Sequence, residues 1–138
     1  MKRVAVLLLV FGMNLAHAEA GRLKAPNNPK WKEECGSCHI PYPPQLLSAD
    51  NWRSLMGGLD KHFGTNATLD ANDSKKILAF LEQNAGSGER YSAASLRISD
   101  TPWFKHEHHV INNKEWVNPQ VKSRSNCSAC HGKVLLGE

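Results

Sequence analysis

The 138-residue sequence carries 17 Lys and Arg against 13 Asp and Glu, a formal charge of +4 at pH 7. It has no run of basic residues of the kind that grips nucleic acid, and short pairs such as Lys75-Lys76 read as solvated helix faces. Its length fits one small domain, and its single apolar run falls short of the ~20 residues a membrane span needs.

In chain order, residues 1–18 read as a secretory signal peptide. Lys2 and Arg3 form a basic n-region, residues 4–10 are the heart of a short apolar h-region, and Ala16-His17-Ala18 is a small-x-small cleavage site. Cleavage after Ala18 or Ala20 places the mature chain in the periplasm. Removing Lys2 and Arg3 takes the basic residues from 17 to 15 against 13 acids. The sequence pI near 9.0 therefore partly reflects the leader.

Asn28-Pro29 has the form of an N-cap followed by proline at the first helical position, and predicts a short helix through Trp31 toward Cys35. Three prolines predict that residues 40–47 are not helical. Ser48 or Asp50 should cap the next helix, whose apolar stripe is Trp52, Leu55, Met56 and Leu59. His62 and Phe63 close it before Gly64, a C′ candidate. Residues 70–73 supply caps for a third helix that buries Ile77, Leu78 and Leu81 and stops at Asn84-Ala85-Gly86. Residues 86–89 form a linker between two halves. Asp100-Thr101-Pro102 repeats the cap-plus-proline signal and starts a helix over much of TPWFKHEHHVI. Asn118-Pro119 breaks the chain, and a last short helix carries Cys127 to His131. Strand signals are weak, so the fold class is mainly α with extensive loops. The helices are few and short, and the mean hydropathy is −0.47. A small domain with so thin a core needs a staple: disulfide, metal or cofactor.

The cysteines identify the staple. All four lie in CGSCH (Cys35, Cys38, His39) and CSACH (Cys127, Cys130, His131). Each is C-x-x-C-H, the attachment signature of c-type haem. Two thiols about one helical turn apart reach both vinyl groups on one edge of a porphyrin. The following histidine is then carried under the ring, where its imidazole binds iron as the proximal ligand. One zinc held by four thiolates leaves both histidines unexplained. Two C-x-x-C disulfides close loops too tight to constrain the unfolded chain much. Two haem c groups, and hence two irons, are the expected cofactors.

The sixth iron position separates an electron carrier from a gas binder or catalyst. After the leader, methionine occurs once, at Met56, which reads as core packing. Four histidines lie outside the motifs: His62, His106, His108 and His109. His62, at the edge of the apolar stripe, suits a flat hydrophobic cofactor. On a helix Phe104, His108 and Ile111 share one face and Trp103, His106 and Val110 another, so periodicity leaves His106 and His108 competing. His109 has Lys105 at i−4 and a wetter side. His62 lies 23 residues after His39, and His108 lies 23 before His131.

Over residues 35–137 the chain resembles the small dihaem cytochrome c family of bacterial periplasms. The resemblance is carried by CGSCHIPYPPQLL, NWRSLMGGLDKHFGTNATLD, RISDTPWFKHEHHVI and NCSACHGKVLLG. The family's HFG element matches His62, and its Trp-Phe-x-x-x-His element matches Trp103, Phe104 and His108. The resemblance implies two low-spin haems, each with two histidine ligands, in a helical two-lobed fold whose core is largely haem. His39 with His62 and His131 with His108 is the favoured pairing, since each pair lies within one half. The lobes are then residues 19–88 and 89–138. His106 and His109, crowded around His108, depart from the family pattern.

Two imidazoles per iron hold the potential toward the low end for cytochromes c and leave no vacancy for substrate. The expected function is electron transfer in the periplasm rather than enzyme catalysis. The resemblance also implies a membrane b-type cytochrome as donor and a small oxygen-binding monohaem cytochrome c as acceptor, met transiently. The competing reading is a small haem enzyme or gas-binding cytochrome with one open iron, using His106 or His109 as distal acid or base. Mass spectrometry of the mature protein is expected to show the polypeptide plus two haem groups, and a bare polypeptide mass overturns the cofactor assignment.

Overall fold

The computed structural model describes Leu23 and residues 26–132. The signal peptide expected over residues 1–18 lies outside the described residues, as do residues 133–138 of the expected C-terminal lobe. The rest is mainly helical, with α1 (Pro29–Gly36), α2 (Ala49–Met56), α3 (Ala71–Gln83), α4 (Pro102–Glu107), α5 (Asn113–Trp116) and α6 (Ser128–His131) joined by loops and single 3-10 turns. Two isolated bridges are the sole β pairing among the described residues.

Local caps account for where most helices begin. The Asn28 side chain accepts from the Trp31 amide at 2.9 Å with Pro29 at the first position. Ser48, not Asp50, is the cap of α2 and accepts from Asn51. The Asp70 carboxylate takes the amides of Asn72 and Asp73 at the head of α3. Thr101 caps α4 through the Phe104 amide at 3.1 Å and is itself fully buried. Each cap satisfies amides that a helix start leaves without partners.

Three expectations need correction. The helix of the Trp52 stripe does not reach His62. It ends at Met56, and a 3-10 turn over Leu59–Lys61 carries the chain onward. Gly57-Gly58 interrupts it, since glycine costs about 1 kcal/mol of helix propensity per residue. Gly64 is accordingly not a helix C′ residue. With φ of +96°, after Phe63 at +49°, it forms a left-handed corner in which the Thr65 amide donates to His62. The proline-rich stretch does hold one helical turn, a 3-10 turn over Pro44–Leu46; proline is tolerated at a first turn because its missing N–H has no partner there anyway. Helix α5, capped by Asn112, is too short for periodicity to reveal.

The core gathers Trp31 from α1, Leu47, Trp52 and Met56 around α2, and Ile77 and Leu81 from α3. Trp52 keeps its buried indole N–H bonded to the Pro44 carbonyl at 2.7 Å. Residues 86–89, expected as a linker, and Tyr91 just beyond them fold back on this core. The Gly86 amide donates to Leu47, and the Ser48 amide to Tyr91. A Cβ on Gly86 would come within 2.4 Å of the Gln45 carbonyl oxygen and 2.5 Å of the Tyr91 ring. Gly86→Ala is therefore expected to destabilise the protein by about 1–3 kcal/mol, the usual cost of overpacking, as measured by chemical denaturation of the haem-loaded protein.

Candidate functional site

The two cysteine pairs sit at opposite kinds of helix end, the first at the close of α1 and the second at the start of α6. Cys35 lies in the last turn of α1, with Cys38 and His39 just beyond. Cys127 caps α6, and its carbonyl accepts from the Cys130 and His131 amides at 3.2 and 2.9 Å. In both motifs the first cysteine is half-buried and the second exposed, and all four thiols are unpaired. Burial, and to a lesser degree the neighbouring Glu34 charge, pushes the Cys35 thiol up to about 11. Burial also raises Cys127. Among the described residues no three His, Cys, Asp or Glu side chains are gathered as a metal-ion site would gather them.

A cleft of about 560 Å³ opens beside the first motif, within the ~300–1,000 Å³ range of cofactor sites. It is lined by Cys35, Cys38 and His39 on one side and Leu55, Leu59 and His62 on the other, and it reaches Phe104 and Cys127. The ring centroids of His39 and His62 lie 6.3 Å apart. An imidazole nitrogen binds a first-row metal at about 2 Å. Two rings on opposite sides of one ion then have centroids about 6 Å apart, so the spacing admits an iron between them. The Nδ1–H of His39 donates to the Ile40 carbonyl at 2.7 Å, which leaves Nε2 for a metal. His62 is held below the usual histidine pKa, first by burial and then by the charges of His39 and Arg97. The neutral ring this favours is the form that ligates.

The second pair is built differently. His108 ends α4, stacks on the buried Phe104 ring at 4.1 Å and donates from Nδ1 to the Phe104 carbonyl at 2.9 Å. Its ring centroid lies 5.9 Å from that of His131, the planes nearly perpendicular at 87°. The other two histidines of the cluster lie elsewhere. His106 is exposed and pairs with Glu107 at 3.2 Å, and His109 is exposed with its Nδ1 on the His106 carbonyl. Met56, read as core, is buried there and also borders the cleft.

Sequence reasoning missed Tyr42. Its ring stacks on His39 at 4.6 Å, and its hydroxyl donates to the Ser125 carbonyl at 2.6 Å, across 83 residues. Burial, then the nearby Cys127, pushes its pKa up to about 12. Tyr42 thus ties the first motif to the segment that leads into the second. It follows His39 by three residues, but nothing local announces a partner so far along the chain.

Residues 31–137 match the family model for dihaem cytochrome c, a span that includes both motifs. No curated protein matches the sequence. Among solved structures, a crystal structure of DHC purified from Rhodobacter sphaeroides is similar at 36% identity and a TM-score of 0.70, covering 80% of this chain and 96% of that one. The X-ray structure of a dihaem cytochrome c from Shewanella baltica OS155 is similar at 38% identity and a TM-score of 0.70, covering 82% and 87%. Tyr42→Phe, which removes the bond to Ser125, is expected to cost about 0.5–1.5 kcal/mol in chemical denaturation with haem content unchanged.

Proposed function

The chain belongs to the dihaem cytochrome c family and carries two c-type haems; from that premise we propose that it is a periplasmic electron-transfer protein in which histidines close both faces of each iron. Membership implies an electron-transfer cytochrome. The finer reading rests on one observation: His39 meets His62 at 6.3 Å and His131 meets His108 at 5.9 Å, each a spacing that one iron spans.

The haems supply reversible one-electron chemistry at iron, and the protein controls access to it. Cys35, Cys38, Cys127 and Cys130 provide thioether anchors. His39 and His131, which follow the attachment cysteines, would each bind one iron, and His62 and His108 would each supply its second imidazole. With an imidazole on both sides of each haem, no position would remain for oxygen, peroxide or nitrite, and the protein would carry electrons rather than act on a substrate. The carbonyl bonds of His39 and His108 fix their tautomers and hold each ring in place. Fixed ligands need little rearrangement when the iron changes charge.

Export would follow from the leader expected over residues 1–18. No helix among the described residues is long and apolar enough to cross a membrane. We place the protein between a membrane b-type cytochrome as donor and a small monohaem cytochrome c as acceptor, through contacts of the small, weak kind typical of redox encounters.

Visible spectra under carbon monoxide test the closed irons. The reduced protein is expected to keep sharp, split α and β bands when the gas is added. His62→Ala and His108→Ala should each open one haem of the two, whereas His106→Ala and His109→Ala should open neither. A carbon monoxide adduct in the unaltered protein would sink the closed-iron reading in favour of the gas-binding alternative, and an adduct in His106→Ala would transfer the ligand role from His108.

A further inference from the structure

Four arginines lie among the described residues, and they divide into two kinds. Arg53 bridges Asp50 at 2.7 Å and Glu82 at 2.6 Å. Arg90 reaches Glu107 at 3.8 Å. Arg97 and Arg124 have no carboxylate partner among the described residues; both line the cleft, which holds His62 and reaches Cys127 of the second motif but not His108. The single acid lining it, Glu34, is engaged with Lys30 at 3.5 Å. An apolar cleft with two uncommitted guanidinium groups is built for an apolar ligand that carries carboxylates.

The two arginines are also held in position. Arg97 lies over the Phe63 ring at 4.2 Å, and Phe63 packs on His62 at 4.8 Å. Arg124 lies over Trp116 at 5.3 Å, and Trp116 packs on His108 at 5.9 Å. A guanidinium held over an aromatic ring still has N–H groups to offer a carboxylate. Arg90 shows both contacts together, stacked on Tyr91 at 5.3 Å while it pairs with Glu107.

We propose that Arg97 and Arg124 are the carboxylate receptors of the two sites, Arg97 for a propionate of the haem beside His62 and Arg124 for one of the haem beside His108. The proposal rests on the two-haem reading. A haem is an apolar plate with two carboxylates at one edge. Seating it desolvates those groups, which is costly unless a cation bonds them. A fixed positive charge near the iron also disfavours the ferric state, so each arginine raises the potential of its own haem. They act as positioning and tuning residues, not as ligands.

The test is a redox titration of the haem-loaded protein, followed by its visible spectrum. Arg97→Gln is expected to lower one midpoint potential by about 59 mV, a tenfold shift toward the oxidised form at fixed potential. The affected haem should be the one that His62→Ala opens to carbon monoxide. Arg124→Gln should do the same to the other haem. Arg97→Lys, which keeps charge but loses the planar fork, should shift the ratio about threefold; it carries the test if Arg97→Gln does not accumulate. Arg53→Gln, at an arginine that does not line the cleft, should move neither potential. Unmoved potentials in the Arg97 and Arg124 variants, with both haems still closed to carbon monoxide, overturn this inference alone. A shift of equal size in Arg53→Gln reduces the effect to net charge and overturns it too.

Discussion

Trp31, Leu47, Trp52, Met56 and Leu81 are the centre of the core, and the same five side chains border the cleft; of that central group Ile77 alone stands apart. The apolar surface that folds the chain and the surface that receives a flat apolar cofactor are therefore one surface. Filling the cleft completes the core. A chain with mean hydropathy of −0.47 and helices of 4 to 13 residues has little other apolar area to spend on stability. Folding and cofactor attachment should be linked in the way that metal binding and folding are linked in small metal-dependent domains.

That shared surface explains why contacts far apart in sequence converge beside the first motif. Tyr42 bonds Ser125, the Asn51 side chain accepts from the Ala93 amide at 2.8 Å, and Gly86 docks on Leu47. Each draws residues of the second half against the core of the first. Cys127 then lines the same cleft as Cys35 and Cys38. Two haems anchored at those cysteines would be neighbours, as the proposed relay asks. The two sites are nonetheless not copies. Both histidine pairs are separated by 23 residues, but the rings are close to parallel at the first site and close to perpendicular at the second. His62 is carried by a left-handed corner after a 3-10 turn, and His108 by the end of a capped helix.

Much was legible from the residues alone. Asn28-Pro29 and Thr101-Pro102 start helices where the caps said they would, because a cap is a bond from one side chain to an amide two or three residues on. The attachment motifs are likewise local, since two thiols and an imidazole within five residues need no distant partner to declare their chemistry. Both signals depend on spacing along the chain, and spacing is what a sequence records.

Other features were settled by packing. The Trp52 stripe runs on past Met56 in sequence, yet the Gly57-Gly58 pair stops the helix, and His62 reaches the cleft by a turn that periodicity cannot describe. Helical spacing left His106 and His108 equivalent; the buried Phe104 ring and the approach of His131 give them different surroundings, one half-buried beside a motif histidine and one in solvent beside Glu107. Tyr42 and the two uncommitted arginines carried no local mark at all. Their partners are brought to them by the fold, across separations along which the chain's own geometry exerts no constraint, so only the three-dimensional arrangement could choose among them.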